Sequence, residues 1–84
     1  MTIDTLLKSP DLYVLFDGCP TCGAKNSEFL NLCHIMASQM VRRLHVVPSG
    51  SPTATLIRTI AKDQDQPITY PLLLINGEIR HLRH

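Results

Sequence analysis

Eighty-four residues provide for one hydrophobic core and no second, so the expected organisation is a single domain over residues 1–84. The apolar fraction of 44% is that of a globular chain, too high for a disordered one. A net charge of +1 gives no one-signed field for nucleic acid or an anionic membrane, and no apolar run approaches the ~20 residues of a membrane span. The N-terminal stretch lacks the basic start and long apolar segment of a secretion signal, so a cytoplasmic location is expected. Three cysteines are too few for a disulfide scaffold. In a reducing compartment, the pair in Cys19-Pro20-Thr21-Cys22 then points to redox chemistry or to metal.

In chain order, residues 3–8 read as a short helical turn stopped by Pro10. Residues 11–17 form a nearly continuous apolar run, the pattern of a strand buried on both faces. Asp17-Gly18 turns the chain, and a helix is predicted from about Pro20 to Gln39 with Cys19 at its N-cap and Pro20 in the first turn. Its apolar stripe is Phe29, Leu30, Cys33, Met36, Ala37 and Met40. Residues 41–47 suit a second strand near a sheet edge, because their alternation is imperfect. Pro48 to Pro52 reads as a loop, and Thr53 as the cap of a second helix over 54–64. Leu72–Ile75 is another wholly apolar strand, Asn76-Gly77 a hairpin turn, and 78–83 the returning strand. The order β-α-β-α-β-β predicts a mixed four-stranded sheet, with the first two strands parallel and the last two an antiparallel hairpin.

The chemistry expected at Cys19 and Cys22 follows from their position. A redox cysteine attacks as the thiolate, which the unpaired N–H groups and positive dipole end of a helix N-terminus stabilise. Cys22, one turn along, can close a disulfide with Cys19. Cys19 would then attack a substrate disulfide and Cys22 resolve the mixed disulfide. Pro71 opens a buried strand after a loop, where either an ordinary trans peptide or a cis peptide fits, trans being the commoner form. A cis bond would expose the Tyr70 backbone to an extended substrate or to glutathione.

The run Tyr13-Val-Leu-Phe-Asp-Gly-Cys-Pro-Thr-Cys22 resembles the strand and active-site turn of glutaredoxins, whose usual centre is Cys-Pro-Tyr-Cys. The run Ile68-Thr-Tyr-Pro-Leu-Leu-Leu-Ile-Asn-Gly77 resembles that family's Thr-Val-Pro segment, its following strand and its hairpin. The resemblance covers residues 11 to about 80 and implies a thioredoxin-like fold lacking the usual C-terminal helix. It implies Cys19 as nucleophile, Cys22 as resolving thiol, a cis Pro71, and Pro20, Thr21, Tyr70 and Pro71 as the substrate-binding surround. It implies a thiol–disulfide oxidoreductase with no bound cofactor. Its substrate would be a disulfide-containing protein or small molecule, and its electron donor glutathione or a thioredoxin reductase. Three segments depart from the family pattern. Asp17-Gly18 stands where a glutathione-binding lysine is usual, and Thr21 replaces the tyrosine. Glu78 to His84 replaces a Gly-Gly and acidic segment.

Two other classes fit parts of the chain. A zinc site would draw on Cys19, Cys22, Cys33 and His34, but Cys33 would lie roughly 16 Å beyond Cys22 along a continuous helix, too far to converge tetrahedrally. Cys33 is more simply a small buried hydrophobe. A redox-inactive thioredoxin-fold adaptor is the other class, and retention of both thiols argues against it. His45, His81 and His84 have no sequence partner at catalytic spacing, and Tyr13 reads as core. Arg80-His81-Leu82-Arg83-His84 reads as a solvated tail.

Overall fold

A computed structural model describes residues 2–16 and 24–80, with the side chains of residues 24–26 left aside. Its elements are α1 (Ile3–Lys8), β1 (Leu12–Leu15), α2 (Ala24–Gln39), β2 (Leu44–Val47), α3 (Pro52–Asp63), β3 (Leu72–Ile75) and β4 (Glu78–Arg80). The molecule is an α/β domain with a mixed four-stranded sheet and, among the described residues, three helices. The strand order is β2-β1-β3-β4. As the element order predicts, β1 and β2 are parallel and β3 and β4 antiparallel; β3 also runs antiparallel to β1.

The two central strands are the apolar runs of the sequence, and both faces of the sheet are covered. Successive side chains of a strand point to opposite faces. Tyr13, Leu15, Leu72 and Leu74 accordingly join Leu6 of α1 and Ala54, Ile57, Ile60 and Ala61 of α3 in one cluster. Val14, Phe16 and Leu73 join Phe29 and Cys33 of α2 in the other. Phe16 meets Phe29 edge to face, with ring centroids 5.8 Å apart.

Several boundaries differ from the sequence expectation, each for a local reason. The strand predicted at 41–47 begins at Leu44, because residues 40–43 close α2 instead. Val41 N–H donates to Ser38 O and Arg42 N–H to Ala37 O, the paired bonds that cap a helix C-terminus. Val41 takes the left-handed position where glycine is usual, at φ 53°, and Met40, expected on the inward stripe, lies past the helix end and is exposed. The second long helix starts earlier than predicted. Ser51, not Thr53, is its N-cap, accepting from Ala54 N–H, and Pro52 occupies the first turn where no N–H is needed.

The hairpin behaves as Asn76-Gly77 predicts. Both residues take positive φ, 52° and 78°, as the tight turn between right-twisted strands requires. Gly77 is needed for space as well, since a Cβ there would stand 2.8 Å from Leu7 O. The turn is tied to α3 through Gln64, whose amide donates to Gly77 O at 2.7 Å and accepts from Ile79 N–H at 3.0 Å. Of the strand predicted over 78–83, Glu78–Arg80 is described and the remainder lies outside the described residues. No helix among the described residues is long and apolar enough to cross a membrane.

Candidate functional site

Sheet register decides which loops meet. Leu15 pairs with Val47 of β2 and with Leu72 of β3, so the C-terminal ends of β1 and β2 and the start of β3 share one end of the sheet. Phe16, Pro48-Ser49 and Tyr70-Pro71 follow or precede those residues directly and therefore gather at that end. The Tyr70–Pro71 peptide is cis, the form implied by the glutaredoxin resemblance and the less common one on the residues alone.

One residue at this end escaped the sequence reading. Arg58 of α3 donates from Nε to Tyr70 Oη and from Nη2 to Ser49 O, both at 2.9 Å. Its guanidinium carbon lies 5.9 Å from the centroid of the Tyr70 ring. Five N–H donors belong to a guanidinium, and these bonds use two. Among the described residues no carboxylate forms an ion pair with Arg58. The cis-proline loop thus carries a fixed cation on one flank. No motif announces it, since its partners lie nine residues before and twelve after it in the chain.

Cys19, Pro20, Thr21 and Cys22 lie outside the described residues, as do Asp17 and Gly18. Cys33 is described. It is fully buried on α2, in the cluster with Phe29 and Leu73. Burial disfavours the thiolate and raises its pKa from 9.0 to about 11. A zinc ligand or a nucleophile needs the opposite shift, so the core reading of Cys33 stands. We expect Cys33 to resist iodoacetamide at neutral pH in the folded protein and to react once urea unfolds it. Because the folded pKa is the higher one, the stabilising effect of the buried neutral thiol is complete below about pH 9 and is lost as pH rises to about 11. A urea midpoint unchanged between pH 8 and pH 11 in a comparison of wild type with Cys33→Ala would contradict this.

The opposite end of β1 holds a separate polar cluster. His45 Nε2 lies 2.8 Å from Asp11 Oδ2, and the His45 ring stacks on Tyr13 at 4.8 Å. The Tyr13 and Ser9 hydroxyls are 3.1 Å apart. Tyr13 is core, as expected. His45 does have a partner, but one 34 residues away in sequence and set by strand pairing. This cluster braces β1 against β2.

An α/β fold with a β2-β1-β3-β4 sheet and a cis-proline loop at the exit of β1 is the class that these observations define. No protein-family model matches the chain, and no curated protein and no solved structure does.

Proposed function

We propose that the domain is thioredoxin-like and works as a dithiol–disulfide oxidoreductase through Cys19 and Cys22. The observation that carries the reading is the pairing of Leu15 with Leu72, which brings the residues next to them, Phe16 and Pro71, to one end of the sheet. Cys19 follows Phe16 by three residues, a reach of about 11 Å at most. The resemblance of the flanking runs to glutaredoxins supports the same reading.

In the proposed reaction the Cys19 thiolate attacks one sulfur of a substrate disulfide. A Cys19–substrate S–S bond forms, the substrate S–S bond breaks, and the departing thiolate takes up a proton. Cys22, losing its proton, attacks Cys19 Sγ, closes the Cys19–Cys22 disulfide and releases the second substrate thiol. Two electrons have passed from the dithiol to the substrate. Two glutathione thiols, or a thioredoxin reductase, return them by the same exchange in reverse. The backbone of Tyr70 beside Pro71 would offer hydrogen bonds to an extended substrate, and Arg58 positive charge.

A redox titration in glutathione buffers, quenched by alkylation and read by peptide mass, tests the proposal. Reversible interconversion of Cys19 and Cys22, with a midpoint roughly between −270 and −180 mV, is expected. A pair that stays reduced throughout while the protein carries stoichiometric zinc would replace this reading with a metal knuckle.

Arg58 bears on the electron donor. An acidic Asp17 at the usual lysine position disfavours the glutathione carboxylates, whereas Arg58 attracts one. Arg58→Met is expected to raise KM for glutathione disulfide about tenfold, the effect of losing one charge-assisted contact, with kcat changed by less than about twofold. Arg58→Lys should recover part of that loss. A KM left unchanged by Arg58→Met would confine Arg58 to bracing Tyr70.

A further inference from the structure

A cleft of about 220 Å³ opens between the outer strand β2 and the start of α3. Tyr13 and His45 line it, stacked with ring centroids 4.8 Å apart and planes within 17°. Val47 and Pro48 add apolar wall, and Ser51 and Thr53 complete it on the helix side. Among the described residues no Asp, Glu, Lys or Arg lines the cleft.

The hydroxyls of this lining are already engaged. Tyr13 Oη lies 3.1 Å from Ser9 Oγ. Ser51 Oγ donates to Pro48 O at 2.8 Å and accepts from Ala54 N–H. Thr53 has a partner as well. His45 differs. Its Nε2 lies 2.8 Å from Asp11 Oδ2, and Asp11 stands outside the cleft. A carboxylate only accepts, so Nε2 carries the ring hydrogen and Nδ1 of the neutral imidazole is left as an acceptor. Nδ1 has no partner among the described residues. Asp11 thus sets the tautomer of the ring and Tyr13 its plane, so the acceptor is held in place before any ligand arrives.

We propose that this cleft binds a neutral phenol, whose hydroxyl donates to His45 Nδ1 while its ring lies against Val47 and Pro48. One unspent side-chain acceptor calls for one donor. A lining without charge gives an ion nothing in exchange for its water. The volume is below the ~300 Å³ of pockets that take drug-sized ligands, so a single substituted ring is the size that fits. The same group is carried by a free phenol and by a tyrosine side chain. With one ring and one hydrogen bond, the expected dissociation constant is roughly 1 mM. The proposal is independent of the redox reading, and its test uses no activity.

The test is titration of the ¹⁵N-labelled whole chain with 4-methylphenol at pH 8, followed by NMR. Amide signals of residues 45–48 and 51–53 should move and saturate together. The ring nitrogens of His45 should report the Nε2–H tautomer, and the Nδ1 signal should move upfield as it accepts the hydrogen bond. Methoxybenzene, an isomer of 4-methylphenol without the hydroxyl, should bind at least about fivefold more weakly, the scale of one hydrogen bond. His45→Phe keeps an aromatic ring against Tyr13 and removes the acceptor, and should weaken 4-methylphenol binding to the level of methoxybenzene. A circular dichroism melt confirms that the variant folds, and the pair of isomers needs no variant. N-acetyltyrosinamide separates the two sources, since tighter binding than 4-methylphenol assigns a tyrosine side chain and weaker binding a free phenol. No saturable shift up to about 10 mM overturns the proposal. So does equal binding of the two isomers, and so does an Nδ1 signal that stays in place while the amides move.

Discussion

Cys19→Ser is expected to lower the rate of disulfide reduction about a thousandfold or more while leaving the thermal midpoint nearly unchanged. A serine hydroxyl is not ionised near neutral pH and cannot form the sulfur–sulfur bond that defines the intermediate, so the loss is that of the nucleophile itself. Cys22→Ser should behave differently. The first exchange still occurs, but nothing resolves it, and the protein incubated with glutathione disulfide should gain the mass of one glutathione on Cys19. The two variants together separate a catalyst from an adaptor of the same fold. An adaptor would keep its partner binding in both and show no trapped adduct. Equal residual turnover in wild type and Cys19→Ser would remove Cys19 from the proposed mechanism.

Phe29→Ala should have the largest effect on stability. Phe29 is 2% exposed and packs edge to face on Phe16. Burying a phenylalanine this fully and then truncating it costs about 3–5 kcal/mol, from the lost transfer energy and the cavity left behind. A domain of this size has on the order of 5 kcal/mol in total, so the variant should lose most of its stability. The consequence reaches the proposed site. Phe16 directly follows β1 and Phe29 lies on α2, so their contact ties to each other the strand before and the helix after residues 17–23. Urea denaturation followed by circular dichroism measures the effect. A loss below about 1 kcal/mol would mean that the α2 cluster repacks around the gap.

The fold was legible where local pattern and burial agree. The apolar runs at 12–15 and 72–75 became the two central strands, and Asn76-Gly77 became the hairpin turn. Cys33 and Tyr13 were placed in the core from helical and strand period alone. Legibility failed where a backbone bond competes with hydrophobic pattern. Met40-Val41 looks like the start of a strand, yet the orphan carbonyls of α2 hold those residues in a cap. Ser51 and Thr53 can both cap a helix, but serine is the better cap, and Pro52, suited to the first turn, also favours the earlier start. At the candidate site, the cis form of Pro71 was expected only from the glutaredoxin resemblance, since the residues alone favour the commoner trans peptide. Arg58 and the Asp11–His45 pair were not, since only tertiary packing and strand pairing bring those groups together. The thiol half of the site rests on sequence.

The Gln64 side chain has a consequence for how the sheet meets other chains. In a two-residue hairpin the second facing pair, Leu74 and Ile79, turns its backbone groups outward. The Ile79 N–H therefore lies on the free border of β4, where an invading strand would begin to pair. Gln64 Oε1 already occupies it. A foreign strand must first evict that amide, and with it the tether to α3. Misassembly by strand addition at β4, when the protein is heated or concentrated, should therefore begin with loss of the Gln64 contacts.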